Sequence, residues 1–143
     1  MNVAAIIARK GGDVITVDQN ASLADAARIL DQYSIGAVII LDSVRAPAGV
    51  LSERDITRAV ARMGAAALTA RVADCMTRDV VTCRAGDTLE HLMGMMTDRR
   101  IRHLPVMDGE MLIGVISIGD LVKQRIAEAE ADAQAMKSYI AAG

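Results

Sequence analysis

The chain has no phenylalanine and no tryptophan, and only two tyrosines among its 143 residues. A core without aromatic rings must be filled by Val, Ile, Leu, Ala and some of the nine Met, which pack adaptably. The same absence, with a formal net charge of −2, argues against a nucleic-acid surface, which stacks bases on rings and neutralises phosphates with basic side chains. Cysteine is scarce as well. Cys75 and Cys83 form no Cys-x-x-Cys pair and read as small core residues under reducing conditions. No apolar run approaches the roughly 18–20 residues that span a bilayer, so no membrane association is expected. Val3 to Ala8 is too short for a signal-peptide core, and Arg9-Lys10 follow it where a leader would place its charges first. A cytoplasmic protein is therefore expected. His91 and His103 lie far apart, with no ligand spacing to either Cys, and no metal site is expected.

What the chain does have is a phrase written twice. Gly49-Val50-Leu51-Ser52-Glu53-Arg54-Asp55-Ile56 returns as Gly114-Val115-Ile116-Ser117-Ile118-Gly119-Asp120-Leu121. The surroundings repeat too: Asp13-Val14-Ile15-Thr16 returns as Asp79-Val80-Val81-Thr82, and Leu23, Ile35 and Asp42 map onto Leu89, Ile101 and Asp108. This is an internal duplication. Each copy of about 65 residues would be marginal alone, so the two are expected to pack together.

Both copies read alike. The β-branched run Val14–Val17 predicts a strand, and Ser22-x-x-Asp25 opens a helix whose apolar face carries Leu23, Ala26, Ala27, Leu30 and Tyr33 down to Ser34. Ala37–Leu41 is a continuous apolar strand, buried on both sides. A turn, the strand Ala48–Leu51 and a helix from Ser52 to Arg62 complete the copy. The second copy gives strand Val80–Cys83, helix Thr88–Arg99, strands His103–Met107 and Leu112–Ile116, and a helix from Ser117. Residues 1–63 form the first repeat with its lead-in, 71–126 the second, and 127–143 a terminal helix. The stretch from Met63 to Ala70 is too apolar for a solvated tether. In the last helix Val122, Ile126, Ala129, Ala133, Met136 and Ile140 advance by fours and threes, a short heptad seam. It packs either on a second subunit, the favoured expectation, or back onto its own.

The doubled Gly-apolar-apolar-Ser-x-x-Asp phrase, the βαββα order and Arg100-Ile101-Arg102-His103-Leu104-Pro105-Val106 resemble a pair of cystathionine-β-synthase (CBS) domains, a Bateman module. The resemblance covers about Asp13 to Arg125, and the long tail helix is similar to that of small stand-alone bacterial two-CBS proteins. It implies an α/β (α+β) fold: two βαββα repeats related by a pseudo-two-fold, plus the terminal helix. It also implies a cleft that binds an adenosyl ligand such as AMP, ADP, ATP, NAD or S-adenosylmethionine. Asp55 and Asp120 would hold the ribose. Ser52, Ser117, Arg54, Arg102 and His103 would hold phosphate. Thr16, Ile35, Gly36, Ala37, Val80, Thr82, Ile101, Pro105, Ile118 and Gly119 would line the adenine. Physical chemistry agrees on one point, since Ser52 and Ser117 stand at helix starts, where free amides and the helix dipole favour anions.

Plainer readings stand beside these. Ser-x-x-Asp is also a helix capping box, and Ser22-x-x-Asp25 uses it as nothing more. Gly49 and Gly114 could merely let a strand pass close to other chain atoms. Arg99, Arg100 and Arg102 could be a solvated cluster. Repeat one has Glu53-Arg54 where repeat two has Ile118-Gly119, so two unequal sites are expected. No nucleophile–base pair and no phosphate loop with its lysine is present, so catalysis is not expected. The expectation is a regulatory nucleotide sensor that forms a homodimer and signals to an unidentified protein effector in trans. The alternative is a constitutive dimerisation or scaffold module with degenerate clefts.

Overall fold

A computed structural model describes residues 2–142. The chain runs α1 (Val3–Lys10), β1 (Thr16–Val17), α2 (Leu23–Tyr33), β2 (Ala37–Leu41), β3 (Pro47–Ser52) and α3 (Glu53–Met63), then a 3-10 turn (Gly64–Thr69). The second pass gives α4 (Val72–Cys75), β4 (Cys83–Arg84), α5 (Leu89–Arg99), β5 (His103–Asp108), β6 (Met111–Ser117) and α6 (Ile118–Ala142). Each repeat forms one three-stranded sheet whose middle strand runs parallel to the first and antiparallel to the third.

The local chemistry repeats with the topology. Ser22 Oγ accepts from the Asp25 amide and Thr88 Oγ1 from the His91 amide, each at 3.1 Å, capping α2 and α5. Both helices end on a left-handed residue that is not glycine, Ser34 at φ 53° and Arg100 at φ 55°. The first strands are shorter than the sequence suggests, two residues each. Val14, Ile15, Val80 and Val81 leave the ladder to line the space between the repeats. Tyr33 is half exposed at the end of α2, where partly buried Ile29 packs on the core instead. Among the described methionines Met76 and Met96 are buried, whereas Met63, Met111 and Met136 are exposed.

The physical halves are not the sequence halves. Val3 and Ile6 of α1 lie in the second repeat's core, with Leu89, Leu92, Leu104, Val106 and Ile116. Val72 and Met76, around α4, lie in the first repeat's core, with Leu23, Val38, Ile40 and Leu51. Backbone bonds fix the exchange. The Val3 and Ala4 amides donate to Asp87 and Ala85 oxygens at 3.1 and 2.9 Å, and the Val72 amide donates to the Ala21 oxygen at 2.8 Å. Each core is thus incomplete without a segment from the other end of the duplication. The exchange also explains the two phrase-opening glycines. A Cβ on Gly49 would overlap the Met76 side chain, and one on Gly114 would overlap Ile7 Cδ1. Buried Ala67 ties the 3-10 turn to the first core, so the linker is structural. Burial and nearby Asp87 push the Cys83 thiol up to about 12, which leaves it unreactive.

α6 continues for 25 residues, far beyond its counterpart α3. Leu121 is buried and Arg125 pairs with Glu90 of α5 at 3.0 Å, but Val122, Ile126, Met136, Tyr139 and Ile140 are exposed.

Candidate functional site

Between the repeats lies a cleft of about 590 Å³ lined by residues of both. The N-termini of α3 and α6 flank it in pseudo-symmetric fashion. At α3, Asp55 Oδ2 accepts from the Ser52 amide at 2.9 Å while the Asp55 amide donates to Ser52 Oγ at 3.3 Å. At α6, Asp120 Oδ2 accepts from the Ser117 amide at 2.9 Å and the Asp120 amide donates to Ser117 Oγ at 3.1 Å. The Glu53 and Ile118 amides each donate to the strand entry opposite, to the Gly36 oxygen at 3.0 Å and the Arg102 oxygen at 2.8 Å. The first and third amides of each helix are thereby satisfied. The second amides belong to Arg54 and Gly119, both on the cleft.

The two carboxylates have different company. Asp55, 8% exposed, also meets Thr77 Oγ1 at 3.4 Å and the Arg58 guanidinium at 3.9 Å. Asp120 takes the Lys10 ammonium on the same Oδ2 at 2.6 Å, and Lys10 donates to the Val115 oxygen at 2.9 Å. Burial raises the Asp120 carboxyl. Hydrogen bonds from Lys10 and Ser117, with the charge of Lys10, outweigh that and hold it below the ordinary aspartate value. His103 packs on Gly36 across the cleft, its Nε2 3.0 Å from where a Cβ on that glycine would stand. Burial, then Lys10, holds its imidazole below the usual histidine value; Glu53 and Asp120 oppose this, and Arg102 adds to it.

Of the residues expected from the sequence, Ser52, Arg54, Asp55, Ile35, Gly36 and Ala37 line the cleft from repeat one. Ser117, Asp120, Arg102, His103, Ile101, Val80, Ile118 and Gly119 line it from repeat two. Thr16, Thr82 and Pro105 do not. Thr16 and Thr82 are exposed, one step past the valine and isoleucine side chains that do reach the cleft. Pro105 is buried inside its sheet, opposite Val115. Sequence reasoning missed Lys10, Arg58 and Thr77. Arg58 had a local signal, one turn past Asp55 on the same helix face. Lys10 had none, since it meets Asp120 from 110 residues away. Among the described residues no cluster of His, Cys, Asp or Glu is placed to hold a metal, and no helix is long and apolar enough to cross a membrane.

Comparison with known proteins places the fold in a family. The family model of the CBS domain matches residues 3–62 and 72–126. The crystal structure of a CBS-domain containing protein from Agrobacterium tumefaciens is similar at TM-score 0.84 and 44% identity, over 87% of this chain and 92% of that one. The mitochondrial CBS domain-containing protein CBSX3 of Arabidopsis thaliana is 32% identical over 123 residues, 83% of this chain but only 60% of that protein's length. The CBS domain pair of protein MJ0100, in complex with 5′-methylthioadenosine and S-adenosyl-L-methionine, is similar at TM-score 0.78 and 25% identity, over 90% of this chain and 98% of that one. With two matched repeats around one shared cleft, the chain belongs to the CBS-domain family.

Proposed function

We propose that this chain is a non-catalytic regulatory module that binds an adenosyl ligand in the cleft and signals to an unidentified protein effector in trans, within the cytoplasm. The observation that carries the reading is the cleft walled by both repeats. Its volume of about 590 Å³ lies within the roughly 300–1,000 Å³ usual for small-molecule sites. In this reading Asp55 and Asp120 take ribose hydroxyls, and Ile35, Gly36, Ala37, Ile101 and Val80 wall the base. Phosphate falls to Ser52, Ser117, Arg54, Arg102, His103 and the open amides of Arg54 and Gly119. The adenosyl ligands of the MJ0100 pair support the ligand class. A ligand touching both halves stabilises the arrangement that fits it, which is how occupancy becomes a signal.

The second reading, a dimeric scaffold, is favoured by the exposed apolar seam of α6, from Val122 to Ile140. The two readings separate in a thermal-shift panel of AMP, ADP, ATP, NAD, S-adenosylmethionine and GTP, run beside Asp55→Ala and Asp120→Ala. Ligand at 100 times its dissociation constant adds about 2.7 kcal/mol, several degrees for a domain of this size. The sensor reading expects a shift with an adenosyl compound, none with GTP, and a weaker shift in an Asp variant. A folded, ligand-free protein that none of them shifts would leave the scaffold.

A further inference from the structure

The cleft repeats its backbone but not its charge, and the difference centres on Lys10. This residue ends α1, the lead-in that packs in the second repeat's core, and so reaches Asp120 from outside the repeat that carries it. Met76 crowds Gly49 as Ile7 crowds Gly114, and where five residues with Lys10 among them join Ile7 to Asp13, only Thr77 and Arg78 join Met76 to Asp79. Among the described residues Asp55 meets the hydroxyls of Ser52 and Thr77 and a more distant guanidinium, and no ammonium.

Resting on the adenosyl reading above, we propose that Lys10 is the charge-selecting residue of the repeat-two end, making that end accept adenosyl ligands that carry an anionic group and reject the neutral nucleoside. An ammonium has three donors. Two are spent on Asp120 Oδ2 and the Val115 oxygen, and the third meets no acceptor among the described residues. The bonds that Lys10 and the Ser117 amide donate to the Asp120 carboxylate both fall on Oδ2. A ribose hydroxyl arriving at Asp120 therefore enters beside the ammonium and strips water from it, because the Lys10 side chain is 42% exposed in the free protein. A neutral nucleoside supplies no opposite charge in return. A phosphate does, offering Lys10 a charge-assisted bond while Asp120 keeps the diol.

The summed charge of the cleft does not make this choice, although Arg54 and Arg102 stand ready for phosphate elsewhere in it. Its lining carries the cations Lys10, Arg54, Arg58, Arg100 and Arg102, against the anions Asp13, Glu53, Asp55, Asp79 and Asp120. The signs balance, so selection falls to position, and Lys10 is the cation bonded directly to Asp120.

The test is isothermal titration of the full chain with AMP and with adenosine, on wild type, Lys10→Met and Lys10→Arg. Met keeps an unbranched side chain without the charge, and Lys10 is exposed at the end of its helix, so the fold should survive. Wild type should bind AMP at least about tenfold more tightly than adenosine, the scale of one charged hydrogen bond. Lys10→Met should bring the ratio towards one, chiefly by weakening AMP, and Lys10→Arg should keep it. A merely structural lysine would weaken both compounds equally in Lys10→Met, and that result overturns the proposal. So does equal wild-type binding of the two, which leaves the adenosyl reading intact. Binding of neither removes that reading and this one together.

Discussion

At one end of the cleft Asp55 is almost buried among Ser52, Thr77 and Arg58; at the other Asp120 is more open and paired with Lys10. The Ser–Asp capping geometry is the same at both ends because a helix beginning at the end of a strand needs its first amides satisfied. What differs arrives from elsewhere in the chain. Thr77 follows the exchanged lead-in α4 and Lys10 ends α1, and Ala37 in one repeat stands where His103 stands in the other. The helices diverge as well: α3 stops at Gly64, whose φ of 60° suits glycine, while α6 continues to Ala142. In a duplicated domain, backbone caps hold their pattern and the side chains supplied across the duplication carry the asymmetry.

The largest expected effect breaks the asymmetry of the helices. Along α6 the exposed seam is Val122, Ile126, Ala129, Ala133, Met136 and Ile140. In that heptad register Arg125 and Asp132 fall at g, and Glu130 and Lys137 at the following e. A parallel pair of helices brings those g and e charges together with opposite sign, whereas an antiparallel pair centred on Ala129–Ala133 opposes like charges. A second copy of this chain, aligned in parallel, is therefore the expected occupant. Ile126→Glu with Ile140→Glu should convert a dimer to a monomer in sedimentation equilibrium, while leaving AMP affinity close to wild type. A wild-type monomer at high protein concentration would dispose of the idea.

Next in size is the comparison of the two crossing glycines. Three atoms of the Met76 side chain crowd the position a Cβ on Gly49 would take, but only the tip of Ile7 crowds the one on Gly114. A terminal methyl can swing aside; the middle of a buried thioether cannot. Gly49→Ala should cost about 1–3 kcal/mol and Gly114→Ala less, read as urea midpoints. Equal losses would show that the lead-ins are seated with the same rigidity at both ends.

Much of this was legible in the sequence because it is local. Ala37–Leu41 is a strand with those bounds, since five consecutive apolar residues admit a strand buried on both faces. The caps at Ser22, Ser52, Thr88 and Ser117 follow from residues three apart. The duplication brought most of the cleft lining into view, because both copies had to face each other. What stayed hidden is long-range. Nothing in Val3–Lys10 says that it packs in the second repeat, because the apolar stripe of Val3 and Ile6 would fit either core. With the exchange unseen, Lys10 and Thr77 could not be placed beside the aspartates. Thr16 and Thr82 were misplaced for a smaller reason: the strands begin two or three residues late, so the cleft takes the residues before the ladder.

The smallest effect concerns pH, and it sharpens the contrast of the ends most directly. His103 has a folded pKa below its unfolded value of about 6.5, through burial first and then Lys10. The unfolded chain takes that proton first, so this contribution to stability is complete above about pH 6.5 and is lost as pH falls from there through the folded value. Asp120 is also held below its unfolded value, near 3.8, by Lys10 and Ser117 against the effect of burial. Its contribution is complete above that value and disappears as pH falls through the lower, folded one. Repeat one has Ala37 in place of the histidine and nothing there to titrate. Urea midpoints measured from pH 8 to pH 3 should therefore show an early decline below pH 6.5 that His103→Gln abolishes, with the acid decline kept. Lys10→Met should moderate both, since the one ammonium lowers both groups. If His103→Gln leaves the early decline intact, the imidazole against Gly36 is not the group that charges, and the ends differ less in the protonation of their walls than in the ion pair alone.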